Sequence, residues 1–572
     1  MWRDLDGNTK LGLGAILTLM GVLGLFTAVA HVAVRIVGGP SVPVNPFGIL
    51  VGLATGEIIF PGKTLIAMGV SAGVIVVLIV VLVLVRVARK APGERGDKAA
   101  RLTGQDRHIE PLLRESVAKK ASAFGLDADR YPGQRLARTV STKRDVYASW
   151  EDVTCNIWGP RTGKTTSQAV PLVIAAPGAV VATSNKRDLV DGTRLVRERR
   201  TGQRTWVFDP LNIRGADKDM WWNPLSYITG PGFSESTYQR GKALAEILMD
   251  GSKKPDARED AFFSGKSREL VTWLVIAAAL GNRPLTDIYD WVTAEVDDTP
   301  VRILEQFGQP RGARAVDATI SLNPETKAGV FSGALQAVEW LADPTLVEWT
   351  QPNGHRREFR PEMFVKSRET LYSVSREGTG AGPLVTALTV ITMKAAETYA
   401  NESGGRMPTP MVMVLDEAAN VCRWNQLPDM YSHYGSKGLC VHTILQSWSQ
   451  GVRVWTEAGM KQLWDASNVR IYGGGTVETG YLEQLSQVIG DHYVDSRQSS
   501  SGKGGRSTST TYASNQRRIA TVAELSALPR GRAWLFGSGA TAVLVEPIPW
   551  YTTKDAEEVN QSIATYGVVS SH

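Results

Sequence analysis

The chain has 572 residues, 43% of them hydrophobic, a net charge of +6 and a pI near 9.0. That is long enough for more than one domain and apolar enough to fill sizeable cores, while the mild basicity suits nucleic acid or an anionic membrane surface without identifying either. Three cysteines, Cys155, Cys422 and Cys440, form no C-x-x-C pair and the seven histidines do not cluster around them, which argues against a disulfide framework or a zinc module and reads as a reduced, cytosolic bulk.

Two apolar runs come first. Leu11 to Val37 is broken only by His31 and Arg35, and Leu65 to Val85 carries no charge. Each reaches the roughly 20 residues that a bilayer core requires. A cleaved signal peptide is the alternative for the first run, but no A-x-A-like site with polar sequence follows it. The expectation is a membrane anchor over residues 1–90 with two transmembrane helices, about 11–37 and 65–85. Arg86, Arg89, Lys90, Arg95, Lys98 and Arg101 crowd the exit of the second, so the positive-inside rule puts both termini in the cytoplasm of a multi-pass membrane protein. Residues 91–149 are charged and mixed and read as a linker. A basic collar against lipid headgroups is the other reading of that stretch.

Next comes "DVTCNIWGPRTGKTTSQAVPLVIAA", a strand, a loop and a helix-compatible stretch. This is the setting of a phosphate-binding P-loop, G-x-x-x-x-G-K-[ST], in which backbone N–H groups and a helix N-terminus hold phosphate. Gly159, Pro160, Arg161, Thr162, Gly163, Lys164, Thr165 and Thr166 are the candidate binding residues. Lys164 would reach the β and γ phosphates, and the Thr165 hydroxyl would bind Mg²⁺. One position departs from the pattern: Trp158 stands where the first glycine belongs, and Gly159 precedes Gly163 by only four residues.

Short runs at Gly178–Asn185, Thr205–Pro210, Thr370–Ser375, Val441–Ser447 and Asn468–Gly474 are bounded by turn residues and separated by helical stretches, the alternation of a doubly wound α/β domain. Between them, residues 236–354 show helical periodicity with hardly a strand signal, so an all-α subdomain is expected inside a nucleotide-binding domain of residues 150–235 and 355–572. Its apolar stripes read as its own core or as a surface for a partner. "GTGAG", Gly378 to Gly382, lacks G-x-G-x-x-G spacing and reads as a strand-to-helix turn.

"MVMVLDEAAN", Met411 to Asn420, runs four hydrophobic residues into Asp416 and Glu417. That is the form of a Walker B strand: Asp416 holds the Mg²⁺ shell and Glu417 orients and deprotonates water. An acidic pair that merely caps the next helix is the bland alternative. Gln446, just past its strand, reads as a γ-phosphate sensor or as a surface glutamine. Ser496 to Thr511 is Ser/Gly-rich and cationic, and reads as a disordered hairpin tip or as a loop facing nucleic acid.

Several segments in fixed order resemble the type IV secretion coupling proteins, the TraG/TraD-like conjugative DNA-transfer ATPases: Lys186-Arg187-Asp188-Leu189, Phe208-Asp209-Pro210, Trp222-Asn223-Pro224-Leu225, "LDEAAN", "LQSWSQ", "NVRIYGGGTVETGYLEQLSQVIG" and "RRIATVAELSALPRGRAWLF". The resemblance implies an α/β, RecA-like P-loop NTPase core with an inserted all-helical subdomain and an N-terminal two-helix transmembrane hairpin, assembled as a homo-hexamer. It implies ATP and Mg²⁺ as cofactors and a place in the bacterial cell membrane. As partners it implies single-stranded DNA with relaxase and relaxosome proteins, and type IV secretion channel subunits. Gly163, Lys164 and Thr165 match the end of Walker A, Asp416 and Glu417 match Walker B, and Gln446 matches the family's glutamine. Lys164, Glu417 and Gln446 are the catalytic candidates, with Arg517 or Arg518 as a finger that acts in trans; Arg376 and Arg470 are the other choices. Two further function classes stay open, an FtsK-type double-strand DNA translocase and a non-motor substrate receptor for protein secretion.

Overall fold

The apolar runs bounded by turn residues become strands of one large sheet. The computed structural model describes residues 24, 26–38, 41–60, 62–66, 70, 97–104, 106–215, 218–253, 261–376, 380–501 and 508–567. Its strands are β1 (Gln134–Thr139), β2 (Asp145–Ala148), β3 (Thr154–Ile157), β4 (Val180–Ser184), β5 (Thr205–Phe208), β6 (Met220–Trp221), β7 (Arg357–Glu358), β8 (Thr370–Val374), β9 (Met411–Asp416), β10 (Leu439–Leu445), β11 (Val469–Tyr472), β12 (Asp491–Ser501), β13 (Thr508–Arg518), β14 (Ala533–Gly537) and β15 (Val543–Pro547).

Two units divide the chain, residues 1–93 and 94–572. In the first, residues 26–37 are helical, and a helix over Pro46–Ala54 is capped by the Asn45 side chain, which accepts from the Phe47 N–H at 3.0 Å. Ala30, Ile49, Ile58 and Phe60 pack together. The expected membrane helices at 11–37 and 65–85 fall largely outside the described residues. Among the described residues, no helix is long and apolar enough to cross a membrane.

In the second unit, eleven strands lie in the order β2-β1-β15-β14-β11-β3-β10-β9-β4-β8-β5. From β11 to β5 neighbours run parallel, and from β11 to β2 they run antiparallel. A parallel interior is buried on both faces, so its strands read as continuous apolar runs. Along β9, Met411, Met413 and Leu415 enter one core while Val412 and Val414 enter the other.

Residues 91–149, expected as linker, instead supply β1 and β2 and a helix over Arg114–Ala123 whose Val117 and Ala121 are buried. Strand β1 is polar in sequence ("QRLART"), and its partner β15 lies some four hundred residues onward. Strand β1 itself therefore carries little local signal of its place in the sheet.

The helical insertion is tied off at its neck. Strands β6 and β7 pair in parallel, Met220 with Arg357 and Trp221 with Glu358, which brings its two ends together. Ser236 opens its first helix, Thr237–Ser252, through a capping box with Gln239. The central helix, Ala261–Leu280, is buried from Leu270 to Ala278, which explains why that stretch carries no charge.

Of Ser496–Thr511, expected as a disordered hairpin tip, residues 496–501 and 508–511 instead continue the ribbon of β12 and β13. Their pairing runs from Asp491–Arg518 to Ser501–Thr508, and residues 502–507 lie outside the described residues. Thr-rich strands can satisfy their backbone groups across such a ladder without an apolar face. In the GTGAG turn, residues 378 and 379 lie outside the described residues, and a helix over Gly382–Glu402 begins at its end.

Candidate nucleotide-binding site

Register decides where the site forms. Strand β10 lies between β3 and β9, with Leu445 beside Ile157 and Ile444 beside Asp416. The carboxyl ends of three parallel strands are thus level, and the residues that follow them converge on one edge of the sheet, the usual ligand position in such folds.

Five of the expected residues meet there. Lys164 Nζ donates to Glu417 Oε1 and stands 3.4 Å from Asp416 Oδ1. The Thr165 hydroxyl donates to Asp416 Oδ2 at 3.2 Å. Gln446 Nε2 reaches both oxygens of Glu417, at 2.6 and 2.7 Å. Asp416 and Glu417 are each 3% exposed, so these carboxylates depend on protein donors rather than on water. Burial pushes the Asp416 carboxyl above its ordinary range, Glu417 adds to the rise, and Lys164 opposes it.

The loop itself is unusual in length and support. Trp158 is buried, and its N–H donates to Leu445 O, continuing the sheet. Gly159 N–H donates to Gly474 O at 2.8 Å, and a Cβ on Gly159 would collide with the Gly475 carbonyl. The indole of Trp158 lies where a Cβ on Gly473 would stand. A run of three glycines after β11 therefore cradles the start of the loop, and Trp158 fills the space beside it. Arg161 and Gly163 adopt positive φ, 61° and 92°, and Thr162 Oγ1 bonds back to Gly159 O at 2.5 Å. Thr166 Oγ1 closes on Gly163 O at 3.0 Å, and Pro160 and Arg161 are exposed.

Past Lys164 the chain winds as a π-turn over Thr165–Ala169 before the α-helix Val170–Ala175. Pro171 has no N–H to give and its ring crowds the preceding turn, which favours the wider winding. A π-turn holds one residue more than an α-turn, so the chain after Lys164 winds more widely than in a regular helix.

The structure supplies neighbours that the sequence did not announce. The Thr183 hydroxyl donates to Asp416 O at 3.2 Å. Glu478 accepts from the Trp448 and Ser449 N–H groups, each at 2.9 Å, and so anchors the start of the helix after Gln446. Only the run "GGG" hinted at the cradle. Arg517 is exposed on β13, and Arg518 bonds Glu483 at 3.3 Å and pairs with Asp491 at 3.5 Å; among the described residues neither bonds Lys164, Asp416 or Glu417. Arg470 lies within β11 beside Cys155, inside the sheet rather than at its carboxyl edge, and Arg376 is exposed just past β8.

The donor set suits a phosphate-bound Mg²⁺. Asp416 Oδ1 is buried without a hydrogen bond, and Thr165 Oγ1 stands against the other oxygen of the same carboxyl. Among the described residues no group of three His, Cys, Asp or Glu side chains is placed to hold a metal, so a cation here needs ligands from substrate as well.

Fold and site together have the form of a P-loop nucleotide-binding domain. Residues 410–530 match the family described as the TraM recognition site of TraD and TraG. In fold the chain is similar to the bacterial conjugative coupling protein TrwBdeltaN70 in complex with sulphate, with a TM-score of 0.53 and 16% identity over 76% of this chain and 92% of that one. It is similar as well to the plasmid coupling protein TrwB in complex with a non-hydrolysable GTP analogue (TM-score 0.50, 15% identity, 70% and 86% covered) and with ADP and Mg²⁺ (TM-score 0.50, 16% identity, 70% and 85% covered). No curated protein matches the chain. The resemblance to type IV secretion coupling proteins is thereby borne out.

Proposed function

We propose that this protein is a membrane-anchored, RecA-like ATPase that couples a DNA–relaxase substrate to a type IV secretion channel and drives conjugative DNA transfer. The observation that carries the reading is the convergence of Lys164, Thr165, Asp416, Glu417 and Gln446 on one edge of the sheet. The carboxylate pair Asp416 and Glu417 at the end of β9 supports hydrolysis rather than binding alone, because pure binding needs no general base.

ATP binding would draw Lys164 from Glu417 to the β and γ phosphates. Thr165 and Asp416 would hold Mg²⁺, which when bound neutralises charge on the phosphates. Freed of the lysine, Glu417 takes a proton from the attacking water, and Gln446 reports the γ-phosphate to that carboxylate. Arg517 or Arg518 of a neighbouring copy in a hexameric ring would stabilise charge on the transferred group. The two apolar runs near the N-terminus support the membrane anchor, with both termini cytoplasmic. The match over 410–530 supports a relaxosome protein of TraM type as one partner.

The test is ATP turnover by the detergent-solubilised full-length protein beside Lys164→Ala, without DNA, with single strands and with duplex, at two salt concentrations. Turnover that rises with single strands and vanishes in the variant is expected. Preference for duplex would transfer the reading to an FtsK-type translocase, and ATP binding without turnover would transfer it to a receptor.

A further inference from the structure

Four side chains close a hydrogen-bonded circuit at the edge of β9 and β10. Gln446 N–H donates to Gln450 Oε1 at 2.8 Å. Gln450 Nε2 faces Asn420 Oδ1 at 3.4 Å, and Asn420 Nδ2 faces Glu417 Oε2 at 3.4 Å. Gln446 Nε2 returns to Glu417. Helical spacing brings the members together: Asn420 lies three residues past Glu417 around the turn Ala418–Val421, and Gln450 lies four past Gln446 at the start of the helix Trp448–Ala466.

The polarity of this circuit is fixed at its origin. A backbone N–H can only donate, so Gln450 must present its oxygen to residue 446 and its NH₂ to Asn420. Asn420 must then accept through its oxygen and present its own NH₂ to the carboxylate. Gln450 is 7% exposed, so water does not readily substitute for it. Glu417 itself stands in the left-handed region (φ 58°, ψ 41°), a conformation a glutamate holds only where its surroundings impose it.

We propose that Asn420 and Gln450 are positioning residues that keep Glu417 in the orientation for water activation and couple it to the backbone of Gln446. The inference rests on the hydrolytic reading above. In the structure Glu417 has three side-chain donors: Lys164, Gln446 and Asn420. Substrate phosphate takes the lysine and competes for the Gln446 amide. Asn420 is then the donor that stays, aimed by Gln450. A displacement of residue 446 as Gln446 turns to the γ-phosphate moves Gln450, and through it the donor that holds the general base.

The experiment uses the full-length protein with Asn420→Ala, Gln450→Ala and the near-isosteric Gln450→Glu. An ionised glutamate at 450 still accepts from the Gln446 N–H but has no donor for Asn420, so it breaks the circuit with little change in volume. Removing one donor to a charged group predicts a fall in kcat of about 10- to 100-fold. KM, the affinity for ADP and the thermal midpoint of Gln450→Glu should stay near wild type. Variants that turn over at the wild-type rate overturn the proposal, as do losses of nucleotide affinity that parallel the loss of rate, the signature of a structural role. If the wild-type protein binds nucleotide without turnover, the hydrolytic reading fails first and the positioning role falls with it; normal wild-type turnover with indifferent variants sinks the circuit alone.

Discussion

Lys164 of the P-loop and Glu417 of the Walker B strand are bonded to each other, although 253 residues separate them in the chain. The lysine proposed to hold phosphate and the carboxylate proposed to activate water thus neutralise one another in the structure. Glu417→Gln keeps an oxygen for Lys164 to find. Its expected behaviour is nucleotide affinity close to wild type with turnover reduced about 10²- to 10⁴-fold, the usual worth of a general base. Lys164→Ala should lose affinity as well as turnover. Titration with a fluorescent nucleotide beside phosphate release separates the two, and equal effects from both substitutions would count against the assigned roles.

The cradle predicts an unusual sensitivity at Gly159. A methyl group there meets the Gly475 carbonyl, backbone against backbone, with no flexible side chain to yield. Gly159→Ala should lose about 1–3 kcal/mol at this contact. If the loss is confined to the loop, nucleotide affinity falls by about 5- to 150-fold while the unfolding midpoint moves little. Unchanged affinity would mean that the loop can leave the glycine run at small cost.

Trp158 invites the opposite experiment. Trp158→Gly restores the glycine that the P-loop pattern asks for, yet it empties the space beside Gly473. Loss of a buried tryptophan of this kind costs about 3–5 kcal/mol, so the variant should unfold at clearly lower denaturant and bind nucleotide no more tightly. Tighter binding would show that Trp158 is a burden on the site rather than part of its support.

His442 gives the core a defined response to acid. It is buried on β10 between the Thr154 hydroxyl, 2.8 Å from Nδ1, and the Gln134 side-chain carbonyl at Nε2. Burial lowers its pKa from 6.5 to about 3. Below pH 6.5 the unfolded chain gains a proton that the folded chain refuses, so the full stability is present above pH 6.5 and is lost as pH falls toward 3. The slope is about 1.4 kcal/mol per pH unit, or about 2 kcal/mol between pH 6.5 and 5. Urea unfolding at pH 7 and pH 5 should show this difference, and His442→Gln should reduce it. An equal acid loss in the variant would assign it to other groups.

Sequence alone singled out Lys164, Thr165, Asp416, Glu417 and Gln446, which the structure brings together, and the parallel half of the sheet. Glycine, lysine and threonine between a strand and a helix, and an apolar run ending in two carboxylates, are local patterns, because a buried parallel strand must be apolar throughout and a phosphate loop must carry its donors in order. The helical insertion was legible for the same reason: periodicity is a property of neighbours in the chain. Tertiary structure decided the rest. Polar β1 joins the main sheet because β15 lies beside it, and Trp158 is tolerable only because Gly473 leaves room for its ring. Asn420 and Gln450 join the site only because β9 and β10 end level, a register set by packing across the whole sheet. Such contacts link residues far apart in sequence, and no short window of the chain holds both partners.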